Sequence, residues 1–422
     1  MHDSLLEILR CPYCGTSLSL VENDALLRSG PHVDSGILGC ECCAFPIVDG
    51  IPVLIADDLT RSAMGSLEED RADDALIAFL GLDERQAAAF FGLQSTRSPA
   101  TFLETLAILS YDAEADYLAY RLSDPTYLTS EAVLRALGQE RRRFEHRALD
   151  VCGGAGHLTR VLSGLRRPLE TEETDVESGT VLLDLSFWKL WLAARFTSPG
   201  SAPVCCDANH PLPFARNSFS TALLSDAFPY IWHKRLLADE LIRLVGPDGL
   251  VVMPHLHSAH GENFSAGDTL TPAAHQDLLA PHQPRLFSDG LLLKNLLAHR
   301  RVDLSPATSS RDLGDESSFT LVASRDPDVF REYEVPDESG VTGELRVNPL
   351  YRVERQGESS ILTLTFPTPE YAEEFAECRR YLPDRVTVMA DLTSPLTPTL
   401  VGTDYAELRR RRVLLDAPRL YC

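Results

Sequence analysis

An α/β chain built on a mostly parallel sheet is the fold this sequence predicts, and three segments predict it. Residues 148–152 form a short apolar run that leads into Gly153, Gly154 and Gly156. Residues 180–184 form a second apolar run, closing on Asp184-Leu-Ser186. Residues 204–209 form a third, in which Cys205 and Cys206 lead into Asp207-Ala-Asn209. Runs without polar alternation suit strands buried on both faces, as parallel strands are. The carboxyl ends of such strands open onto a ligand crevice.

Each of the three ends carries residues suited to that crevice. The glycines remove β-carbons from a tight turn, so a flat ligand can approach the backbone beside the next helix N-terminus. Asp184 can accept hydrogen bonds from both hydroxyls of a ribose. It can equally serve as the N-cap of a helix over 187–196. Asp207 can accept from an exocyclic amine, and Leu212 and Phe214 can pack on a flat base. A glycine-rich turn also serves dinucleotides, but Thr159 stands where Gly-x-Gly-x-x-Gly requires its third glycine.

Taken in order, Asp150-x-Cys152-Gly153-Gly154-x-Gly156, Asp184-x-Ser186, and Asp207-x-x-x-Pro-Leu-Pro-Phe214-x-x-x-Ser218-Phe219 resemble the class I S-adenosylmethionine-dependent methyltransferases with a type-11-like core. Residues 221–228, 233–245, 246–249, 250–253 and 319–324 resemble that family's fourth strand, next helix, turn, fifth strand and last strand. The resemblance spans 147–326. It implies a Rossmann-like core with a mostly parallel seven-stranded sheet and S-adenosyl-L-methionine as cofactor. It places Asp150, Cys152, Gly153, Gly154, Gly156, Asp184, Leu185, Asp207, Ala208, Ser225, Asp226 and Phe228 around that cofactor. His157, just after the glycine turn, is expected to cap the cofactor. Two departures stand out: an acidic insertion over 167–180, and a Cys152-Gly153 order that reverses the family's usual Gly-Cys.

The N-terminus carries an independent module. Cys11-x-x-Cys14 and Cys40-x-x-Cys43 are two knuckles whose four thiolates suit a closed, structural Zn2+ site. Cys42 is an additional thiol that competes with Cys43. Residues 5–10 and 45–54 flank the knuckles and resemble the zinc-ribbon family that activates tRNA and protein methyltransferases. That family's stand-alone members stabilise a partner methyltransferase; here the pairing is expected within one polypeptide.

The expected organisation is a ribbon over 1–58, a helical cap over 59–146, the core over 147–326 and a small α+β domain over 327–422. In the cap, 72–81, 83–91, 99–109 and 129–138 show helical spacing of apolar residues. In the C-terminal part, 343–353, 360–366 and 385–389 alternate like strands, and 369–380 reads as a helix.

The 422 residues carry a formal net charge of −23, which repels a phosphate backbone. Long nucleic acids are therefore poor expected partners. The basic clusters 141–143 and 409–412 are expected to be solvated or ion-paired. No run approaches the ~18 apolar residues of a membrane helix. The N-terminus lacks a secretory pattern, and cysteines clustered in ligand-like pairs suit a reducing compartment, so a cytoplasmic location is expected.

The ends of the fourth and fifth strands carry the candidate chemistry. His255 and His257 stand just beyond the fifth strand, and either could deprotonate a hydroxyl. With His260 and Glu262 they also have metal-like spacing, and a purely structural role is the plain alternative. The expected function is methylation of a small molecule, a sugar or specialised metabolite, at oxygen or nitrogen. A tRNA- or rRNA-modifying enzyme is the alternative the ribbon suggests. A silent cofactor-binding protein is opposed by the intact Asp184 and Asp207.

Overall fold

A computed structural model describes residues 1–110, 113–140, 144, 146–165, 179–262, 267–335, 343–389, 392 and 403–422. Most of the acidic insertion (167–178) and the basic cluster 141–143 lie outside the described residues.

The core sheet has seven strands: β1 (Ala148–Val151), β2 (Thr180–Asp184), β3 (Ala202–Cys205), β4 (Thr221–Leu223), β5 (Leu250–His257), β6 (Pro284–Ser288) and β7 (Ser318–Ala323). Their spatial order is β3-β2-β1-β4-β5-β7-β6. β1 pairs in parallel with β2 and β4, β2 with β3, and β4 with β5. β7 runs antiparallel to both of its neighbours. This is the mostly parallel seven-stranded sheet that the sequence predicts, with one strand reversed. The order changes direction between β1 and β4, which is where such sheets open a ligand crevice.

The unbroken apolar runs are explained by burial on both faces. Ala148, Leu182, Leu223 and Val252 belong to one hydrophobic cluster, and Leu149, Val181, Leu183 and Val251 to the other. Successive side chains alternate between the two, as strand geometry demands. The first face is covered by the helical segment, which contributes Leu67, Phe90, Phe102, Leu106 and Val133 to the same cluster.

The second face is shared with the N-terminal ribbon through Leu5, Leu9, Phe45, Ile47 and Leu54. The ribbon also joins the backbone ladder. The Leu54 N–H donates to the Cys205 carbonyl at 2.8 Å, and Val53 bridges Cys205 in parallel. Arg10 N–H bonds the Pro213 carbonyl at 2.9 Å. The exposed edge of β3 is thus covered by the ribbon, which removes an open strand edge.

Four of the expected helices form, as Ala72–Leu80, Glu84–Gln94, Phe102–Leu109 and Pro125–Leu137. Their starts are chemically marked. Asp83 with Gln86, and Thr101 with Glu104, form reciprocal capping boxes, and Asp124 caps a helix with Pro125 at its first position. Asp58–Glu68 and Ala113–Tyr120 are further helices that the periodicity does not mark.

The C-terminal part departs from expectation. The strand expected over 343–353 is two strands, Glu344–Val347 and Tyr351–Gln356, in different sheets. The break is local chemistry. Asn348 Oδ1 accepts the Leu350 N–H at 2.9 Å, its Nδ2 bonds the Arg412 carbonyl, and Pro349 has no N–H to offer a ladder. The helix expected over 369–380 is Pro369–Glu374 followed by a 3-10 turn, Ala376–Arg380. The chain end is anchored in the cap: Phe102 N–H donates to the Leu420 carbonyl, and the buried Tyr421 ring stacks on Phe102 at 4.7 Å.

Candidate functional site

The ribbon gathers four thiols. Cys11, Cys14, Cys40 and Cys42 place their sulfurs within 4.8 Å of one another. The Cys14–Cys40 and Cys40–Cys42 separations are 3.7 Å, and Cys11–Cys42 is 3.9 Å. Four sulfurs about 2.3 Å from a common tetrahedral ion would stand ~3.8 Å apart, so the group fits zinc without rearrangement. The structure gathers Cys42, where the spacing favoured Cys43, with the other three sulfurs; the Cys43 sulfur stands 3.4 Å from that of Cys42.

The second group lies at the carboxyl ends of β1–β3. Cys152, Gly154 and Gly156 all have positive φ (56°, 55° and 77°), so the turn between β1 and the helix His157–Leu165 is tightly wound. A β-carbon on Gly153 would sit 2.5 Å from Leu182 Cδ1 and 2.6 Å from the Asp150 carboxyl. Only glycine fits there. Asp184, at the end of β2, holds this turn: its Oδ2 accepts the Gly154 N–H at 2.9 Å and its Oδ1 the Ser186 N–H at 2.8 Å. Each oxygen keeps a further lone pair. Asp207 Oδ1 accepts from the Asn209 backbone at 2.8 Å, fixing the turn after β3. Asp150 is buried beneath them and accepts the Thr159 hydroxyl at 2.7 Å; burial raises its carboxyl to about 7.

The third group lies at the ends of β4 and β5. His257 Nε2 meets Asp226 Oδ1 at 2.8 Å, and His255 Nδ1 meets Asp289 Oδ2 at 3.2 Å. A bulge between Met253 and Leu256, with His255 at φ 53°, brings the two rings to 5.2 Å. Burial opposes charge on Asp226, but the His257 hydrogen bond and the nearby His255 and Arg121 hold it down to about 2. Burial also opposes charge on His255, yet Asp289 and Asp226 raise it above its ordinary value. An ionised Asp226 only accepts, so a neutral His257 would carry its hydrogen on Nε2 and its lone pair on Nδ1. That Nδ1 has no hydrogen-bond partner. The donor atoms of Asp226, His255 and His257 lie within 4.8 Å of one another, close enough to hold a cation.

A single cavity of about 1060 Å³ joins the second and third groups. Its walls include Asp150, Cys152, Gly153, Gly154, His157, Asp184, Leu185, Asp207, Ala208, Ser225, Asp226, His255 and His257. Gly156 and Phe228 are not among them. Gly156 is needed for packing, since a β-carbon there would lie 2.8 Å from Ala193 Cβ. Phe228 opens a 3-10 turn that aims it into the core, where its ring sits 5.5 Å from His275. The His157 ring is likewise buried, 3.1 Å from the Tyr421 hydroxyl; burial lowers it to about 3. It ties the core to the chain end.

No family model matches the chain. A curated protein of Mannheimia succiniciproducens, UPF0434 protein MS0934, is 39% identical over 74 residues, covering 17% of this chain and 97% of that protein. The chain belongs to the UPF0434 family. The match falls on the N-terminal part, over the ribbon. Solved structures similar to part of the chain include the YcgJ protein of Bacillus subtilis (16% identical, 45% of this chain and 98% of that one, TM-score 0.29). The Trm112 methyltransferase activator complex of Haloferax volcanii is 15% identical, covering 45% of this chain and 89% of that one, with a TM-score of 0.30. A methyltransferase of Aquifex aeolicus is 15% identical over 51% of this chain and 98% of that one, with a TM-score of 0.30.

Several walls of the cavity carry no sequence signal. Tyr117, from the cap, donates its hydroxyl to Asp226 Oδ2 at 3.1 Å across 109 residues of chain. Arg121 is buried, paired with Asp124 at 2.8 Å, and lies 4.9 Å from the Tyr117 ring. Tyr371, Glu374 and Phe375 come from the C-terminal part, which thus forms one side of the cavity. Only tertiary folding brings these residues to β4 and β5.

Proposed function

We propose that this protein is an S-adenosyl-L-methionine-dependent methyltransferase acting on a small molecule, a sugar or specialised metabolite, at oxygen or nitrogen. The observation that carries the reading is one cavity running from the glycine turn and Asp184 of β1–β2 to the Asp226–His257 pair of β4–β5. When bound, the cofactor supplies an electrophilic methyl group. Gly153 and Gly154 would let it lie against the backbone, Asp184 would accept from its ribose and Asp207 from its adenine amine. The adjoining half of the cavity would hold the acceptor.

His257 is the general base in this reading. Asp226 fixes its tautomer, leaving Nδ1 to take the proton from an acceptor hydroxyl or amine as the bond forms. His255, held toward its charged form by Asp289, is the weaker candidate for base and supports the local field. The ribbon would bind one structural zinc through Cys11, Cys14, Cys40 and Cys42, and so stabilise the β3 edge on which it rests.

The test is ligand-dependent stability. S-adenosylhomocysteine at a hundredfold excess over its Kd should add about 2.7 kcal/mol and raise the melting temperature. NAD should not. Stabilisation by NAD but not by S-adenosylhomocysteine would overturn the reading.

A further inference from the structure

We infer that the substrate is cationic: a small molecule bearing an ammonium group, anchored at the side of the cavity built by the C-terminal part, near Tyr371 and Glu374. The inference rests on the methyltransferase reading for its reaction, and on the cavity walls for its substrate class.

The first observation is charge. Among the described residues, the cavity walls include twelve Asp and Glu but two Lys and Arg. The whole chain has 62 acidic and 39 basic residues, so the lining is far more one-sided than the protein's overall acidity requires. The Arg and the Lys are already engaged, as is His255, which is held toward its charged form by Asp289. Arg121 pairs with Asp124, and Lys189 pairs with Glu114. A cofactor seated over Asp184 and Asp207 would leave Asp226, Asp289, Glu316, Glu370, Glu374 and Glu377 around the acceptor space. An anionic substrate would meet a field of its own sign there.

The second observation is independent of charge. Tyr371 is 6% exposed and lines the cavity, yet its hydroxyl has no hydrogen-bond partner. His257 Nδ1, in a residue 8% exposed, is in the same position. Buried polar groups are normally paired, and two orphans on the walls of one cavity mark where a ligand completes them. A phenol oxygen and an imidazole lone pair both accept from N–H donors.

The third observation is aromatic. The Tyr371 and Phe375 rings lie 4.5 Å apart, and Glu374 and Tyr117 line the same cavity. Ring faces attract ammonium groups, more strongly where water is excluded. Burial, and then the Asp226 and Asp124 carboxylates, raise the Glu374 carboxyl above its ordinary value. A cation placed there would relieve that repulsion. The anchored ammonium stays charged. The acceptor atom is a different group of the same molecule, presented at His257.

A length-matched series isolates the charge: 1,8-diaminooctane, 1,8-octanediol and octanedioic acid, titrated by calorimetry into the full-length protein saturated with S-adenosylhomocysteine. The diamine should bind at least about tenfold more tightly than the diol, a difference of ~1.4 kcal/mol, and the diacid should not bind. Glu374→Gln and Tyr371→Phe should each weaken the diamine several-fold. Their retained binding of S-adenosylhomocysteine would report that both variants are folded. Diol or diacid binding as tightly as the diamine would overturn the inference. So would failure of the diamine to bind a protein that binds S-adenosylhomocysteine, and the methyltransferase reading would then stand alone. Diamine binding without any S-adenosylhomocysteine binding would refute that reading and leave the amine site standing.

Discussion

Replacing Asp184 by Asn tests how the glycine turn and the proposed cofactor site depend on one carboxylate. Both oxygens are already used: Oδ2 accepts the Gly154 N–H and Oδ1 the Ser186 N–H. Asn keeps the size but offers one acceptor oxygen, and its NH2 would face a backbone donor. One of the two bonds is lost. A hydrogen bond to a charged group contributes about 1.5–3 kcal/mol, so the ligand-free protein should lose about that much stability. For a chain of this size that is a fall of roughly 2–3 °C in melting temperature. The Gly154 N–H would also be free to leave its position, loosening the turn. Cofactor binding should weaken further, because the ribose loses its charged acceptor; a loss of about 1.4 kcal/mol is already tenfold. Scanning fluorimetry reads the first effect and calorimetry with S-adenosylhomocysteine the second. Unchanged melting and unchanged affinity in the Asp184→Asn protein would show that the carboxylate neither holds the turn nor meets the ligand.

Other outcomes follow from the same geometry. Cys42→Ser should lose the zinc, read as metal per chain by mass spectrometry, whereas Cys43→Ser should keep it; the reverse pattern would restore Cys43 as ligand. His157 is neutral when folded because burial lowers it to about 3. The unfolded chain takes up a proton below about 6.5, so this contribution is present above that pH and is lost as pH falls. Urea titrations should show about 2 kcal/mol of lost stability between about pH 6.5 and 5 that a His157→Gln protein lacks. Tyr421→Ala should cost about 3–5 kcal/mol, since a fully buried ring stacked on Phe102 leaves a cavity, and a value under about 1 kcal/mol would contradict the anchoring of the chain end. His257→Gln should reduce turnover on the eventual substrate by roughly 10²–10⁴-fold with S-adenosylhomocysteine affinity nearly intact, and wild-type turnover would leave His257 with a purely structural part.

What was legible in the sequence was whatever is written locally. Strands β1, β2 and β3 are contiguous apolar runs, and their terminal glycines and carboxylates stand beside them in the chain. The cap helices were legible as apolar spacing, while their starts are set by Asp83, Thr101 and Asp124, the last of which begins its helix at Pro125 rather than at 129. The choice between Cys42 and Cys43 was not legible, because spacing does not say which side chain the knuckle turns toward the sulfurs. Phe228 was assigned to the ligand by its neighbours in sequence, but backbone direction turns it into the core. Asn348-Pro349 splits an alternating stretch that periodicity alone reads as one strand. The substrate side was the least legible part. Tyr117, Arg121, Tyr371 and Glu374 come from the cap and the C-terminal part, and no local pattern marks them as neighbours of Asp226.

The central claim is that one cavity at the carboxyl ends of β1–β5 holds the methyl donor at one end and the acceptor at the other. A crystal structure with S-adenosylhomocysteine tests it most directly. The account predicts the ligand against Gly153 and Gly154, with its ribose on Asp184, its adenine amine on Asp207 and its sulfur toward the Asp226–His257 pair. Ligand density elsewhere on the protein, or a ribose that does not meet Asp184, would contradict it.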